Sequence, residues 1–313
     1  MKYFDLHCDT ISDCFQYKKS LYDNDLHISL LRGKKYAPWF QCFAIWITDD
    51  RRGPAALDYF EAIYQNFQKE IARHSDFIMQ CKKSEDFKAA EQQGKIGAIL
   101  TVEGGAAAGG SLERLQYMAD LGVKIMTLTW NSSCEIGDGA GVEPSKGLTE
   151  FGKRAVKEME RLHIIVDISH ASDKLFYDVA DSTEKPIIAT HSNSRKICGE
   201  NLWARRRNLT DEQFTLIKNR GGLVGINFVP DFLNNSGVAN REDILRHIEH
   251  FLSLGGEACV AIGSDFDGTE LPEEINGIES VEALGELMLR HNYSETLVNS
   301  ILFDNAYQFF LSL

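Results

Sequence analysis

Eight short runs rich in Val, Ile, Leu and Phe recur along this chain, separated by longer amphipathic stretches. They are Lys2–Asp9, Gln41–Thr48, Ile96–Gly104, Lys124–Trp130, Ile164–His170, Pro186–Ser192, Gly222–Pro230 and Cys259–Gly268. Each has the length and near-continuous apolar character of a strand buried on both faces, as in a parallel sheet. The stretches between them carry helical spacing. Pro54–His74 is the longest, with Leu57, Phe60, Ile63, Tyr64, Phe67 and Ile71 on one face. Leu112–Leu121, Thr149–Leu162, Ser172–Ala180, Asp211–Arg220 and Arg241–Leu254 follow the same pattern, and Ser280–Leu313 reads as two or three short helices. Gly122, Gly221 and Gly255 stand where helices end. Strand and helix alternating eight times predict an α/β fold of the (β/α)8 TIM barrel type with extra C-terminal helices. A doubly wound open sheet is the alternative, and the lack of G-x-G-x-x-G after the first run counts against it. No linker or low-complexity segment interrupts the chain, so residues 1–313 are expected to form a single barrel domain. The small-residue segment Gly104–Gly110 reads as a loop that needs close backbone approach.

Composition narrows the function classes. The formal net charge is −13, which argues against a nucleic-acid partner and against an anionic membrane surface, since both need a basic face. No 18-residue apolar stretch exists, and Asp5, His7 and Asp9 break the N-terminal apolar run, so neither a membrane span nor a secretory signal is read. The seven cysteines are scattered, with no C-x-x-C pair, as expected for reduced thiols in a cytoplasmic protein. G-x-S-x-G and H-E-x-x-H are both absent, which removes a serine nucleophile elbow and a helix-borne single zinc.

In a barrel of this kind chemistry collects at the C-terminal ends of the strands. Those ends hold His7-Cys8-Asp9, Val102-Glu103-Gly104, Thr129-Trp130-Asn131, Asp167-Ile168-Ser169-His170, Thr190-His191-Ser192 and Gly263-Ser264-Asp265-Phe266-Asp267-Gly268. Period two sends His7 and Asp9 to one side of their strand and Cys8 to the other. Three imidazoles and two carboxylates exceed what one catalytic zinc with an open position takes, and they suit two ions. Glu103 is the natural bridge, one oxygen to each ion. His7 and Asp9 complete one ion, and His170 and His191 the other. Asp265 remains beside the site as a general acid/base; Asp267 shares its face, and the residues alone do not separate the two. His27, His74, His163, His247, His250 and His291 lie in loops or helical patterns, and the i,i+3 pair His247 and His250 is expected on a solvated face. Arg205-Arg206-Arg207-Asn208 follows a site strand, where an arginine can pair a substrate carboxylate in bidentate fashion.

The succession D-x-H-x-D-T, V-E-G-G, D-I-S-H, T-H-S, R-R-N and G-x-D-F-D-G, from Asp5 to Gly268, resembles the membrane (renal) dipeptidase family of the amidohydrolase-like metal-dependent hydrolases. The resemblance implies a (β/α)8 barrel, two zinc ions and hydrolysis of dipeptides, including L-Xaa-D-Xaa. It implies His7 and Asp9 on one zinc, Glu103 bridging, His170 and His191 on the second, and Asp265 rather than Asp267 as acid/base. A hydroxide bridging the metals is then the nucleophile. Arg207 pairs with the substrate's C-terminal carboxylate, with Arg206 as the other candidate. A histidine of the animal enzymes that touches substrate is matched here by Trp130, which becomes a candidate substrate-contacting wall. The family also suggests a homodimer. Mn²⁺, Fe²⁺ or Co²⁺ would suit similar ligands. The same site would serve a lactonase, deacylase or deaminase. A non-catalytic metal-binding protein is a further alternative, against which the spare carboxylate of Asp265 argues.

Overall fold

All eight runs overlap a strand, and every strand pairing is parallel. The computed structural model describes residues 1–312. Its strands are β1 Tyr3–Cys8, β2 Trp39–Trp46, β3 Ile78–Gln80, β4 Ile96–Glu103, β5 Val123–Thr127, β6 Ile165–Asp167, β7 Ile187–Ile188, β8 Val224–Ile226 and β9 Val260–Ile262. β3, which the sequence pattern did not reveal, only lengthens the sheet beside β4. The other eight run in the order β7-β6-β5-β4-β2-β1-β9-β8. A parallel bridge between Ala189 and Val224 joins the two ends, with Ala189 N donating to Leu223 O and Gly225 N to Ala189 O. The sheet therefore closes, which rules out the doubly wound alternative.

The later strands are shorter than their apolar runs. β6 to β9 span two or three residues each, because the run ends leave the ladder to build the mouth. Three short helices in the mouth loops were hidden from periodicity: Thr10–Tyr17 after β1, Leu202–Arg207 after β7 and Pro230–Leu233 after β8. At four to eight residues they give too few turns for a readable stripe. Gly104–Gly110 is indeed a close approach. Gly105 opens a 3-10 turn, and a Cβ there would lie 2.3 Å from Leu128 O.

Phe4, Leu6, Phe40, Cys42, Ile99, Ile125, Ile165, Ile188 and Ala261 meet in one cluster. Side chains from seven strands can converge only inside the barrel. The lower end of that interior is closed by the C-terminal helices. Phe303, Tyr307 and Phe310 pack against Phe4, Phe40 and Phe87 at centroid distances of 5.2–6.4 Å. The extra C-terminal helices thus form the floor of the barrel, and they leave the other end open.

One expectation is corrected here. His247 does not lie on a solvated face; it is fully buried on the Arg241–Ser253 helix. Its Nδ1 accepts from Ser194 N at 3.0 Å and its Nε2 donates to Leu233 O at 3.0 Å. Both ring nitrogens are satisfied by loops above β7 and β8, so a buried neutral imidazole ties the outer helix to the mouth. His250, one turn on, pairs with Asp211 at 2.7 Å.

Candidate active site

The mouth forms a cavity of about 330 Å³, lined by Asp9, Glu103, Trp130, His170, Arg207 and Asp265 among others. On β1 the register shifts between Asp5 and Cys8, where three steps oppose two on β2. Such a bulge re-aims the side chains that follow. Phe4 and Leu6 face the interior, Cys8 packs in the cluster outside it, and His7 turns toward Glu103. Asp9 follows at the N-cap of the Thr10–Tyr17 helix, but its carboxylate makes no capping bond. The usual partner of an N-cap aspartate is forgone, and Oδ1 of Asp9 is buried without any hydrogen bond.

Five sequence-predicted ligands come together. Glu103 presents its two oxygens to different imidazoles: Oε2 lies 3.7 Å from His7 Nε2, and Oε1 lies 2.9 Å from His170 Nε2 and 3.4 Å from His191 Nε2. His7 Nε2 is 3.4 Å from Asp9 Oδ2 and 3.8 Å from Asp265 Oδ1. His170 and His191 point their Nε2 atoms at each other, 3.0 Å apart.

Burial pushes the carboxyl of Glu103 up to about 7. Burial, with the Glu103 charge beside it, pushes Asp9 up to about 6. Burial alone would lower His7, but Glu103, Asp9 and Asp265 outweigh it and hold the imidazole at about 10. Burial, with Arg207 and the other imidazoles, pushes His170 well below its ordinary value, and burial with His7 does the same to His191. His170 and His191 are thus neutral rings with lone pairs to give, beside buried carboxylates that share the His7 ring as their close cation. His7 Nε2 and Asp9 Oδ1 are both buried and unbonded. The donor set fits divalent metal ions: ligand atoms of His7, Glu103 and His191 lie within 4.8 Å of one another, as do those of His7, Asp9 and Asp265.

Deeper residues hold these groups. Asp5 and Asp167 are both fully buried. Each takes a backbone N–H two residues on, from His7 at 3.2 Å and Ser169 at 2.9 Å. Each also takes the N–H and hydroxyl of one residue on the neighbouring strand's extension, Ser264 at 2.9 and 2.6 Å, and Thr190 at 3.0 and 2.6 Å. Burial pushes Asp5 up; at Asp167 burial is opposed by hydrogen bonds from the Thr127 and Thr190 hydroxyls and the Ser169 N–H, and the carboxyl is brought down. Thr190 Oγ1 also lies 2.9 Å from His191 Nδ1, and Asn131 Oδ1 lies 2.9 Å from His170 Nδ1. Both rings are therefore oriented from behind. Asp5 and Asp167 stand within D-x-H-x-D and D-I-S-H, where residue type alone gives them no part. Their fixed offset from each histidine was the available signal.

Asp265 and Asp267 separate clearly. Asp267 takes bonds from Thr10 Oγ1 at 2.5 Å and from the backbone N–H of His27 and Ile28 at 2.6 and 3.3 Å. Asp265 takes one side-chain bond, from Asn227 Nδ2 to Oδ2 at 3.0 Å, and leaves Oδ1 toward His7. Asn227 was missed because the Gly222–Pro230 run ends without an ionisable residue. Both aspartates and His170 adopt left-handed backbone, with φ of 63°, 67° and 66°, a strain that non-glycine residues carry only where the surroundings hold it. A Cβ on Gly268 would lie 2.2 Å from Asp9 Oδ2 and 2.4 Å from Asp265 Oδ1. The glycine is what lets two carboxylates and the chain share that corner.

Arg207 closes another side. It is 4% exposed, makes no hydrogen bond or ion pair among the described residues, and lies 5.3 Å from the Phe232 ring. Arg206 lies in a different hollow and bonds Gly141 O at 3.4 Å. Trp130 lines the cavity, 5.1 Å from Trp46 edge-on and 6.2 Å from His170. Trp46 ends β2, and Trp203 stands on the Leu202–Arg207 helix; neither was expected at the site, because tryptophan carries no reactive group to flag it.

The family model described as membrane dipeptidase (peptidase family M19) matches residues 1–311. A solved metallopeptidase of family M19, described as dipeptidase AC, is 29% identical and superposes with a TM-score of 0.91, covering 100% of this chain and 98% of its own. A metallopeptidase from Rhodobacter sphaeroides, solved with a phosphinate mimic of the dipeptide L-Ala-D-Ala, is 27% identical with a TM-score of 0.91, covering 100% and 99%. An uncharacterized protein of Klebsiella pneumoniae, encoded in the pqqA 5′ region, is 29% identical over 245 residues, 75% of this chain and 89% of that protein. Among the described residues no helix is long and apolar enough to cross a membrane.

Proposed function

This chain belongs to the membrane dipeptidase family, peptidase family M19, and on that premise we propose that its barrel mouth cleaves the peptide bond of dipeptides at two metal ions. Membership makes it a metal-dependent hydrolase. The observation that carries the finer reading is the split of Glu103, with Oε2 toward His7 and Oε1 toward His170 and His191. His7 and Asp9 would hold one ion, His170 and His191 the other, with Glu103 shared. Imidazole-rich coordination favours zinc. When bound, the ions supply an acidified water as nucleophile and polarise the scissile carbonyl.

The chain's own residues supply the rest. Arg207 is a buried guanidinium without a carboxylate partner, and it pairs the C-terminal carboxylate of the dipeptide in fork geometry. That contact sets which peptide bond lies over Glu103. Asp265 takes the proton of the attacking water on Oδ1 and delivers it to the leaving amine nitrogen, while Asn227 holds Oδ2. Trp46 and Trp130 wall the cavity and keep bulk water from its floor. The ligand of the Rhodobacter relative makes L-Xaa-D-Xaa the first substrate class to try.

The test is a library of L-Xaa-D-Xaa and L-Xaa-L-Xaa dipeptides against the zinc-loaded protein, with metal content measured alongside. Turnover of dipeptides with two metal ions bound per chain is expected. Failure to cleave any member with metal bound would sink the reading. Should Arg207→Ala leave the preferred substrates untouched, no free carboxylate is being recognised, and another amidohydrolase-type reaction such as lactone or acyl hydrolysis takes its place.

A further inference from the structure

We propose that Asp13 is a specificity-determining residue that binds the α-ammonium group of the substrate's N-terminal residue, a role that rests on the dipeptidase reading. Asp13 sits one turn after Asp9 on the Thr10–Tyr17 helix, with its N–H bonded to Asp9 O at 3.1 Å. Residues four apart on a helix share a face, so the turn that brings Asp9 to the cavity floor brings Asp13 to its wall, where it lines the cavity and is half-buried. Among the described residues its carboxylate has no hydrogen-bond donor and no cation in contact. Lys19, further along the same segment, is taken by Asp25.

The topology gives this carboxylate a counterpart. Going around the barrel, β9 and β8 lie between β1 and β7. The loop after β1 and the loop after β7 therefore reach the mouth from nearly opposite sides. The first carries Asp13 and the second carries Arg207, and the candidate metal ligands lie between. A cavity of about 330 Å³ with an unpaired cation on one side and an unpaired carboxylate on the other matches a small zwitterion. A dipeptide is such a molecule. With its carboxylate on Arg207 and its carbonyl above Glu103, its ammonium extends toward the β1 side. A longer peptide cannot place both termini this way. The same pair of charges thereby selects dipeptides over longer chains and over N-blocked ones.

The helix offers a rival explanation, since an acidic side chain in a first turn stabilises the helix dipole without touching substrate. Matched substrates separate the two. Free dipeptides and their des-amino counterparts, with propionyl in place of alanyl, are compared on wild type, Asp13→Asn and Asp13→Ala. Binding of a phosphinate dipeptide mimic with and without its amino group is measured by calorimetry in parallel. Wild type is expected to favour the amine-bearing member of each pair by about ten- to a hundredfold, the range of a hydrogen bond to a charged group. Both variants lose that preference through KM and Kd, while their handling of des-amino compounds stays within about twofold of wild type. An unchanged preference in the variants, with or without a fall in melting temperature, overturns the assignment while leaving the dipeptidase reading intact. A wild type that neither cleaves nor binds the amine-bearing compounds overturns both.

Discussion

The two ends of this barrel are made by the same eight strands and could hardly differ more. The closed end packs Phe4, Phe40, Phe87 and Phe310 in stacked pairs, all nearly without exposure. The open end gathers carboxylates and imidazoles, keeps His7 Nε2 and Asp9 Oδ1 unbonded, and holds His170 and Asp265 in left-handed backbone. Apolar burial stabilises and is indifferent to orientation. A ligand cluster needs orientation and costs stability, because each unpaired buried polar group forfeits its hydration. The barrel separates the two demands along its axis. Asp5 and Asp167 lie between, stitching β1 to the end of β9 and β6 to the end of β7 before the polar layer begins. Strain at the mouth is tolerated because the floor does not share it.

If that partition is real, changes at the mouth alter rate and changes at the floor alter stability. The largest effect is expected from Asp265→Asn. It should lower kcat by about 10²- to 10⁴-fold, the range for a general acid/base, with metal content and the urea midpoint unchanged. A variant that loses its metal instead would make Asp265 a ligand. Phe40→Ala comes next. It should cost about 3–5 kcal/mol in urea unfolding, as for a large core aromatic, while kcat/KM measured on folded protein stays within about twofold. A large kinetic change would show that floor and mouth are coupled.

His247 joins an outer helix to the mouth loops and tests the boundary. Burial brings its imidazole down to about 4 from an ordinary 6.5. The unfolded chain therefore takes up the proton first, and stability falls as pH drops through the window from 6.5 to about 4, by an amount on the order of 3 kcal/mol. Above that window the group contributes no slope. Urea midpoints of wild type and His247→Gln across pH 7.5 to 4.5 should converge as pH falls; parallel curves would show that His247 is not the sensor. The smallest effect belongs to Arg206→Ala, which removes one long bond to Gly141 O. It should change neither stability by more than about 0.5 kcal/mol nor dipeptide KM, in contrast with its neighbour Arg207.

Much of the fold could be read from the chain because parallel strands buried on both faces must be apolar throughout. Each of the eight runs overlaps its strand, with β2 and β5 starting one or two residues earlier, and the long Pro54–Arg73 helix shows its stripe. The short mouth helices and β3 had too few residues to show a period. Of the site, the ionisable strand ends were visible, and the cavity draws His7, Asp9, Glu103, His170, His191 and Asp265 together. Asn227, Trp46 and Trp203 were not visible, and Asn131 and Thr190 stood at strand ends without a role, because their residue types are common in loops and cores and only proximity gives them a part. His247 was misplaced for the opposite reason. Helical spacing identifies a face but not what covers it, and here two loops from above β7 and β8 do.

Sequence alone determined that this chain closes a parallel barrel with acids and imidazoles at its strand ends, since strand length, apolar continuity and residue type are local properties. Tertiary structure decided which of those groups meet and how each is held. The bulge in β1 turns His7 to the mouth, Gly268 makes room for Asp9 and Asp265, and three backbone and hydroxyl donors occupy Asp267 while Asp265 is held by Asn227 on Oδ2 alone. It also put Asp13 and Arg207 on opposite sides of one cavity, although 194 positions separate them in the chain. The physical reason is range. Backbone preference acts over a few residues, whereas charge, close approach and hydrogen-bond competition act between whatever surfaces the closed sheet brings within a few ångströms.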